Sequence, residues 1–70
     1  MQTSSTPDPA FHVANVKGML GELIAHLRED VGRMSEPKAQ ALFETSAEVL
    51  TGLQKAFSDY ERGVEPGMRR

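Results

Sequence analysis

The strongest constraint in this sequence is the spacing of its apolar residues, which recur at steps of three and four along two long segments. The first segment, from about residue 9 to residue 32, carries the series Val13, Val16, Leu20, Leu23 and Leu27, continued by Met34, with Ile24 and Val31 beside it. The second, from about residue 36 to residue 62, carries Ala39, Phe43, Leu50, Leu53, Phe57 and Tyr60, continued by Val64, with Leu42, Val49 and Ala56 along its flank. Such steps predict amphipathic α-helices, and neither segment shows the alternation of a strand. We therefore expect an all-α fold.

Local signals mark the ends of both predicted helices. Asp8 is a suitable N-cap for the first helix, with Pro9 at the first helical position, where its missing N–H costs nothing. Ser35 is the corresponding N-cap of the second helix, with Pro37 in its first turn. Gly63 suits the position just after a helix, where a left-handed conformation is common.

The organisation of the chain follows from these bounds. Residues 1–8 are rich in Ser, Thr and Pro and are predicted to form a disordered arm, and residues 63–70 a flexible tail. The helical hairpin occupies residues 9–62, with the turn at 32–36. A connection of about five residues makes the helices antiparallel neighbours in a single domain.

Composition narrows the classes of function. The chain has 70 residues, no Cys and a formal net charge of −2. The lack of Cys rules out disulfides and thiolate metal sites, and the charge gives no reason to expect a nucleic-acid or anionic-membrane partner. The sequence shows no secretory signal and no apolar run of the roughly 20 residues that a membrane span needs, so we expect a cytoplasmic protein without a cofactor.

The apolar arcs are too wide for one hairpin. A two-helix seam uses two apolar positions in seven, whereas these helices offer three or more. We therefore predict that two hairpins dimerise into a four-helix bundle, since a chain this small buries little surface alone. A heterologous partner that donates the missing helices is the alternative. The residues predicted to form the core and the dimer interface are Val16, Leu20, Leu23, Leu27, Phe43, Leu50, Leu53, Phe57 and Tyr60.

Two further patterns admit a functional and a structural interpretation. Glu22, His26 and Asp30 follow one another at steps of four on the flank of the first helix, and these side-chain types are metal ligands. An ordinary ladder of paired charges explains the same spacing. The second pattern is a row of small residues on the first helix. Either another backbone packs closely against this row, or the row only makes the helix locally flexible. Its members are Ala14, Gly18, Gly21, Ala25 and Gly32.

Several stretches resemble small uncharacterised bacterial all-helical proteins over about residues 11–62. They are residues 26–31 (His-Leu-Arg-Glu-Asp-Val) and 42–50 (Leu-Phe-Glu-Thr-Ser-Ala-Glu-Val-Leu), continuing through Gly52-Leu53, Lys55-Ala56-Phe57 and Asp59-Tyr60-Glu61. The resemblance implies a bacterial cytosolic setting and carries over no activity and no functional residue.

These observations predict a non-enzymatic protein that acts through protein–protein association, with itself as the first partner. Two alternatives stay open. One is a metal-binding bundle built on Glu22, His26 and Asp30, and the other is an accessory or antitoxin-like subunit whose tails become ordered on binding.

Overall fold

The protein is a hairpin of two packed α-helices. A computed structural model describes residues 8–63, in which α1 runs over Pro9–Val31 and α2 over Pro37–Arg62, and no strand occurs within that range. The helices pack against each other along their length, which confirms the all-α helical hairpin. The predictions for residues 1–7 and 64–70 concern parts of the chain outside the described residues.

The start of α1 is formed as predicted. Asp8, the last residue of the predicted arm, adopts an extended conformation (φ −69°, ψ 114°), and its Oδ1 accepts a hydrogen bond of 3.0 Å from the backbone N–H of Ala10. Pro9 occupies the first helical position. The carboxylate satisfies one of the N–H groups that a helix start leaves unpaired and lies favourably at the positive end of the helix dipole.

The predicted N-cap of α2 is wrong by one residue. The N-cap is Glu36 (φ −82°, ψ 120°), not Ser35, and its side chain makes no capping hydrogen bond. The reason is Pro37, whose ring disfavours the helical conformation in the residue before it and so makes Glu36 the extended residue. At the other end, Gly63 closes α2 in the left-handed conformation (φ 72°), as predicted.

A line of half-buried positions on each helix, which we call the seam, faces the other helix. On α1 the seam consists of Val13, Lys17, Leu20, Ile24, Leu27 and Val31, and on α2 of Gln40, Phe43, Ala47, Leu50, Gln54 and Phe57. Both sets follow steps of three and four without interruption, which is the spacing of antiparallel helices packed side by side. Ala47 is the one fully buried residue among residues 8–63.

Polar side chains in the seam tie the two helices together. Near the turn, the Gln40 amide donates to the carbonyl oxygens of Met34 (2.7 Å) and Val31 (3.4 Å). Further along, the Gln54 amide donates to the carbonyl oxygen of Lys17 at 3.2 Å. The bonds of Gln40 join the start of α2 to the end of α1, and the bond of Gln54 joins the second half of α2 to the first half of α1. Together they determine how far one helix is shifted along the other.

Gly21 lies directly beneath one of these contacts. A Cβ placed on Gly21 would lie only 2.8 Å from Nε2 of Gln54, whereas a Cβ on Gly18 would meet nothing within 4 Å. A side-chain amide of α2 therefore approaches Gly21 closely, which is not the close approach of another backbone that one interpretation of the small-residue row predicts.

Candidate functional site: an apolar face on one side of the hairpin

Seven large apolar side chains are exposed among residues 8–63, and we call six of them, which helical phase places on one side, the apolar face. Their exposed fractions lie between 38% and 64%, with Leu42 at 62% and Val49 at 64% the most exposed. The members are Val16, Met19 and Leu23 of α1 and Leu42, Val49 and Leu53 of α2. Together they expose roughly 500 Å², which is within the size range of the largest apolar patch on a typical monomer, a patch that is often functional. Phe11 is also exposed (47%) but lies on another side of α1 by helical phase.

Three shallow grooves are lined by five of these six residues, and helical phase places the sixth, Leu42, on the same side of α2. One groove is lined by Leu23 and Leu27 of α1 together with Ser46, Val49 and Leu50 of α2. A second joins Val13 of α1 to Leu53, Ala56, Phe57 and Tyr60 of α2. The third runs along α1 alone, between Val16, Met19, Leu20 and Leu23, with Glu22 and His26 at its border. One of the three grooves thus joins a face residue of α1, Leu23, to a face residue of α2, Val49.

The predicted interface residues fall mostly into the seam or the apolar face. Leu20, Leu27, Phe43, Leu50 and Phe57 belong to the seam, and Tyr60 is half-buried but belongs to neither set. Val16, Leu23 and Leu53 are exposed at 38%, 46% and 45% and belong to the face. Ile24 and Val31, predicted to lie beside the stripe, are part of the seam instead.

Sequence reasoning missed four seam residues: the polar Lys17, Gln40 and Gln54, and Ala47, the most buried residue of the seam. Lys17, Gln40 and Gln54 were outside the predicted apolar stripe, yet they face the other helix. Their signal was present in the sequence, because each fills a gap in an otherwise regular series of three-and-four steps. A stripe defined by hydrophobicity alone skips them.

The opposite side of the hairpin is polar and bonded within the chain. Lys17 Nζ and Glu61 Oε1 form an ion pair at 2.6 Å, and Arg28 Nη2 donates to Thr51 Oγ1 at 3.4 Å. By helical phase, Lys17 lies at the edge of the seam that is farther from the apolar face, and Arg28 lies beyond that edge. Both basic residues in the body of α1 are thus turned away from that face.

The charges that border the apolar face differ between the helices. On the α1 border lie Glu22 and Asp30, and Asp30 Oδ2 is 3.2 Å from His26 Nε2. On the α2 border lies Lys38, one turn before Leu42. Within residues 8–63 neither Glu22 nor Lys38 has an ion-pair or hydrogen-bond partner.

The candidate metal ligands on α1 do not form a joint site. His26 pairs with Asp30, while Glu22, one turn earlier, joins neither of them. In the part of the chain that the structure describes, no three His, Asp or Glu side chains come together in a way that could hold a metal ion. The arrangement corresponds to the charge-ladder interpretation at His26 and Asp30.

Neither α1 nor α2 combines the length and the hydropathy that a membrane-crossing helix needs. Comparison of the chain with family models, with curated proteins and with solved structures gave no significant match. The resemblance drawn from the sequence therefore stays a prediction, and the apolar face carries the functional argument.

Proposed function

We propose that this protein acts through protein–protein association and that the apolar face is its binding surface, occupied by a second copy of the chain. The result is a four-helix bundle of two hairpins. The observation that carries the proposal is the contrast between a seam with one fully buried residue, Ala47, and a face with six exposed large apolar side chains.

The area of the face fits this occupant. The exposed face of roughly 500 Å², together with the half-buried side chains that line its grooves, approaches the ~800 Å² that each partner contributes to a standard interface. At about 25 cal/mol per Å², burial of two such faces releases on the order of 25 kcal/mol. Association costs about 4–15 kcal/mol or more in lost translational and rotational freedom, and side-chain ordering and polar desolvation add to that cost, so only the surplus of this gross figure becomes affinity.

Sedimentation equilibrium tests the proposal directly. We expect the chain to sediment at twice its 7.7 kDa mass in the micromolar range. We also expect its thermal midpoint to rise with protein concentration, because association stabilises the folded state by mass action. A folded monomer at these concentrations would contradict the proposal and would favour a heterologous partner.

A charge placed on the apolar face sharpens the test. Leu53→Asp should dissociate and unfold the protein together, since a carboxylate buried between two faces without a partner is strongly disfavoured. Glu48→Asp introduces the same residue at an exposed position outside the face and is the control. If the two variants sediment equally, Leu53 is not part of the interface.

A further inference from the structure

We propose that the start of α1, residues 9–17, is a flap that opens from α2 as a unit while the rest of the hairpin stays folded. The hinge is Gly18, which follows the flap directly, and the ion pair between Lys17 and Glu61 is the latch that holds the flap closed. This inference goes beyond the proposed function, because it concerns a movement within one chain and does not depend on what covers the apolar face.

The flap buries little surface against α2. Among residues 9–17 only Val13 and Lys17 are half-buried, and the other residues of the flap are exposed. The remainder of α1 has four half-buried apolar residues in the seam, which are Leu20, Ile24, Leu27 and Val31. Because the apolar surface that a segment buries determines how firmly it is held, the flap is the part of α1 that opens most readily.

The helix is weakest where the flap joins the rest of α1. Gly18 lies inside the helix, where glycine is less favourable than every residue except proline. A Cβ at this position would meet nothing within 4 Å, so packing against α2 does not require glycine there. A detached segment as short as the flap loses its helical structure, since isolated helices below about 12–15 residues are marginal in water.

The end of α2 that lies opposite the flap is held by interactions within α2 itself. Asp59 pairs with Lys55 at 3.0 Å and with Arg62 at 2.9 Å. Gly63 closes the helix in the left-handed conformation, and its N–H donates to carbonyl oxygens of the last turn. These interactions remain when the flap opens, so α2 keeps its structure while the start of α1 leaves it.

Opening changes the apolar surface at this end of the hairpin. Phe57 and Tyr60 line a groove to which α1 contributes Val13. Since Val13 belongs to the flap, opening removes the α1 wall of the groove and uncovers the Phe57 side chain, which is half-buried in the closed hairpin. The flap therefore controls how much apolar surface of α2 faces the solvent.

The latch joins the last residue of the flap to α2. Lys17 Nζ lies 2.6 Å from Glu61 Oε1, and the two side chains are 34% and 30% exposed. The Lys17 carbonyl oxygen also accepts the hydrogen bond of Gln54. Because salt screens an ion pair that is partly exposed, we expect the flap to open more readily at high ionic strength.

Hydrogen exchange of the full chain under native conditions tests the flap. In an α-helix the amides of residues 13–21 donate to the carbonyls of residues 9–17, so opening of the flap releases these amides together. After correction for intrinsic rates, we expect them to share one rate that is at least about tenfold faster than that of the amides of residues 24–31. Equal rates in the two sets would overturn the proposal, and so would a gradual rise toward residue 13 without a step, which is ordinary fraying of a helix end.

Two substitutions separate opening of the flap from unfolding of the whole chain. Gly18→Ala should slow the exchange of residues 13–21 about fivefold, because alanine stabilises the helix at the hinge. Glu36→Ser improves the cap at the distant start of α2 and is the control. It should slow the exchange of residues 24–31 and leave residues 13–21 unchanged, whereas equal slowing of both sets would show one cooperative unit and overturn the flap.

A third substitution tests the latch. Glu61→Gln should raise the exchange rate of residues 13–21 by up to about fivefold at low salt, and in 1 M NaCl the rates of this variant and of the unchanged chain should converge. Glu48→Gln makes the same change at an exposed position of α2 and should leave the rate unchanged. A rate in the unchanged chain that does not respond to salt would overturn the latch.

The outcomes for the flap and for the proposed function are separate. All variants are compared at one protein concentration, because association affects apparent stability. A chain that sediments as a monomer but shows the step in exchange after residue 21 would contradict the proposed function and support the flap. A chain that sediments as a dimer and shows no such step would do the reverse.

Discussion

Replacement of Gly21 by alanine tests the packing of the hairpin at a single atom, and Gly18→Ala is its matched control three residues earlier on α1. Alanine is favoured over glycine inside a helix by about 1 kcal/mol. At Gly18 nothing opposes this gain, since the new Cβ meets no atom within 4 Å. We therefore expect Gly18→Ala to raise the free energy of unfolding by about 1 kcal/mol.

At Gly21 the same gain is offset by a lost contact. The new Cβ would lie 2.8 Å from Nε2 of Gln54, so this flexible amide must retract. Retraction breaks its 3.2 Å hydrogen bond to the Lys17 carbonyl oxygen, a bond of a type worth about 0.5–1.5 kcal/mol. The two effects nearly cancel, and we expect Gly21→Ala to change the free energy of unfolding by less than about 0.5 kcal/mol.

Urea unfolding followed by circular dichroism measures both values, at one protein concentration for all variants because association affects apparent stability. Gln54→Ala completes a double-mutant cycle, in which Gly21→Ala should recover its full gain of about 1 kcal/mol once the amide is absent. If Gly21→Ala stabilises the chain as much as Gly18→Ala with Gln54 present, the described approach of Gln54 to α1 is refuted.

Two further substitutions probe the ends of the hairpin. Glu36→Ser supplies the capping hydroxyl that α2 lacks, and the free energy of unfolding should rise by about 0.5–1 kcal/mol; an unchanged urea midpoint would show that the cap position is not Glu36. Glu61→Gln removes the ion pair with Lys17, which is partly exposed, and should cost less than about 1 kcal/mol at low salt. That loss should shrink in 1 M NaCl, and a loss independent of salt would point to packing rather than charge.

Much of the fold could be predicted because its signals are local. The capping carboxylate of Asp8, the ring of Pro9 and the left-handed Gly63 act within one turn of a helix end, and each lies where the sequence indicates. The error at Ser35 is also local, since the effect of Pro37 on the preceding residue was available in the sequence and outweighs the better capping chemistry of serine.

The candidate site was predictable in kind but not in position. The width of the apolar arcs predicts that some apolar surface remains outside a two-helix seam. It does not say which part, because a helix can be rotated about its own axis without changing its pattern. Val16 and Leu23 were therefore grouped with Leu20 and Leu27, although only the latter two face α2.

The sequence by itself determined two helices, their ends to within one residue and their antiparallel connection, because these depend on periodicity, capping and a short turn. Only the tertiary structure decided the rotation of each helix. That rotation depends on pairs of residues distant in the chain: Gln54 reaches the Lys17 carbonyl beside Gly21, and Glu61 pairs with Lys17. These contacts turn polar side chains into the seam and leave Val16, Met19, Leu23, Leu42, Val49 and Leu53 together on one open side.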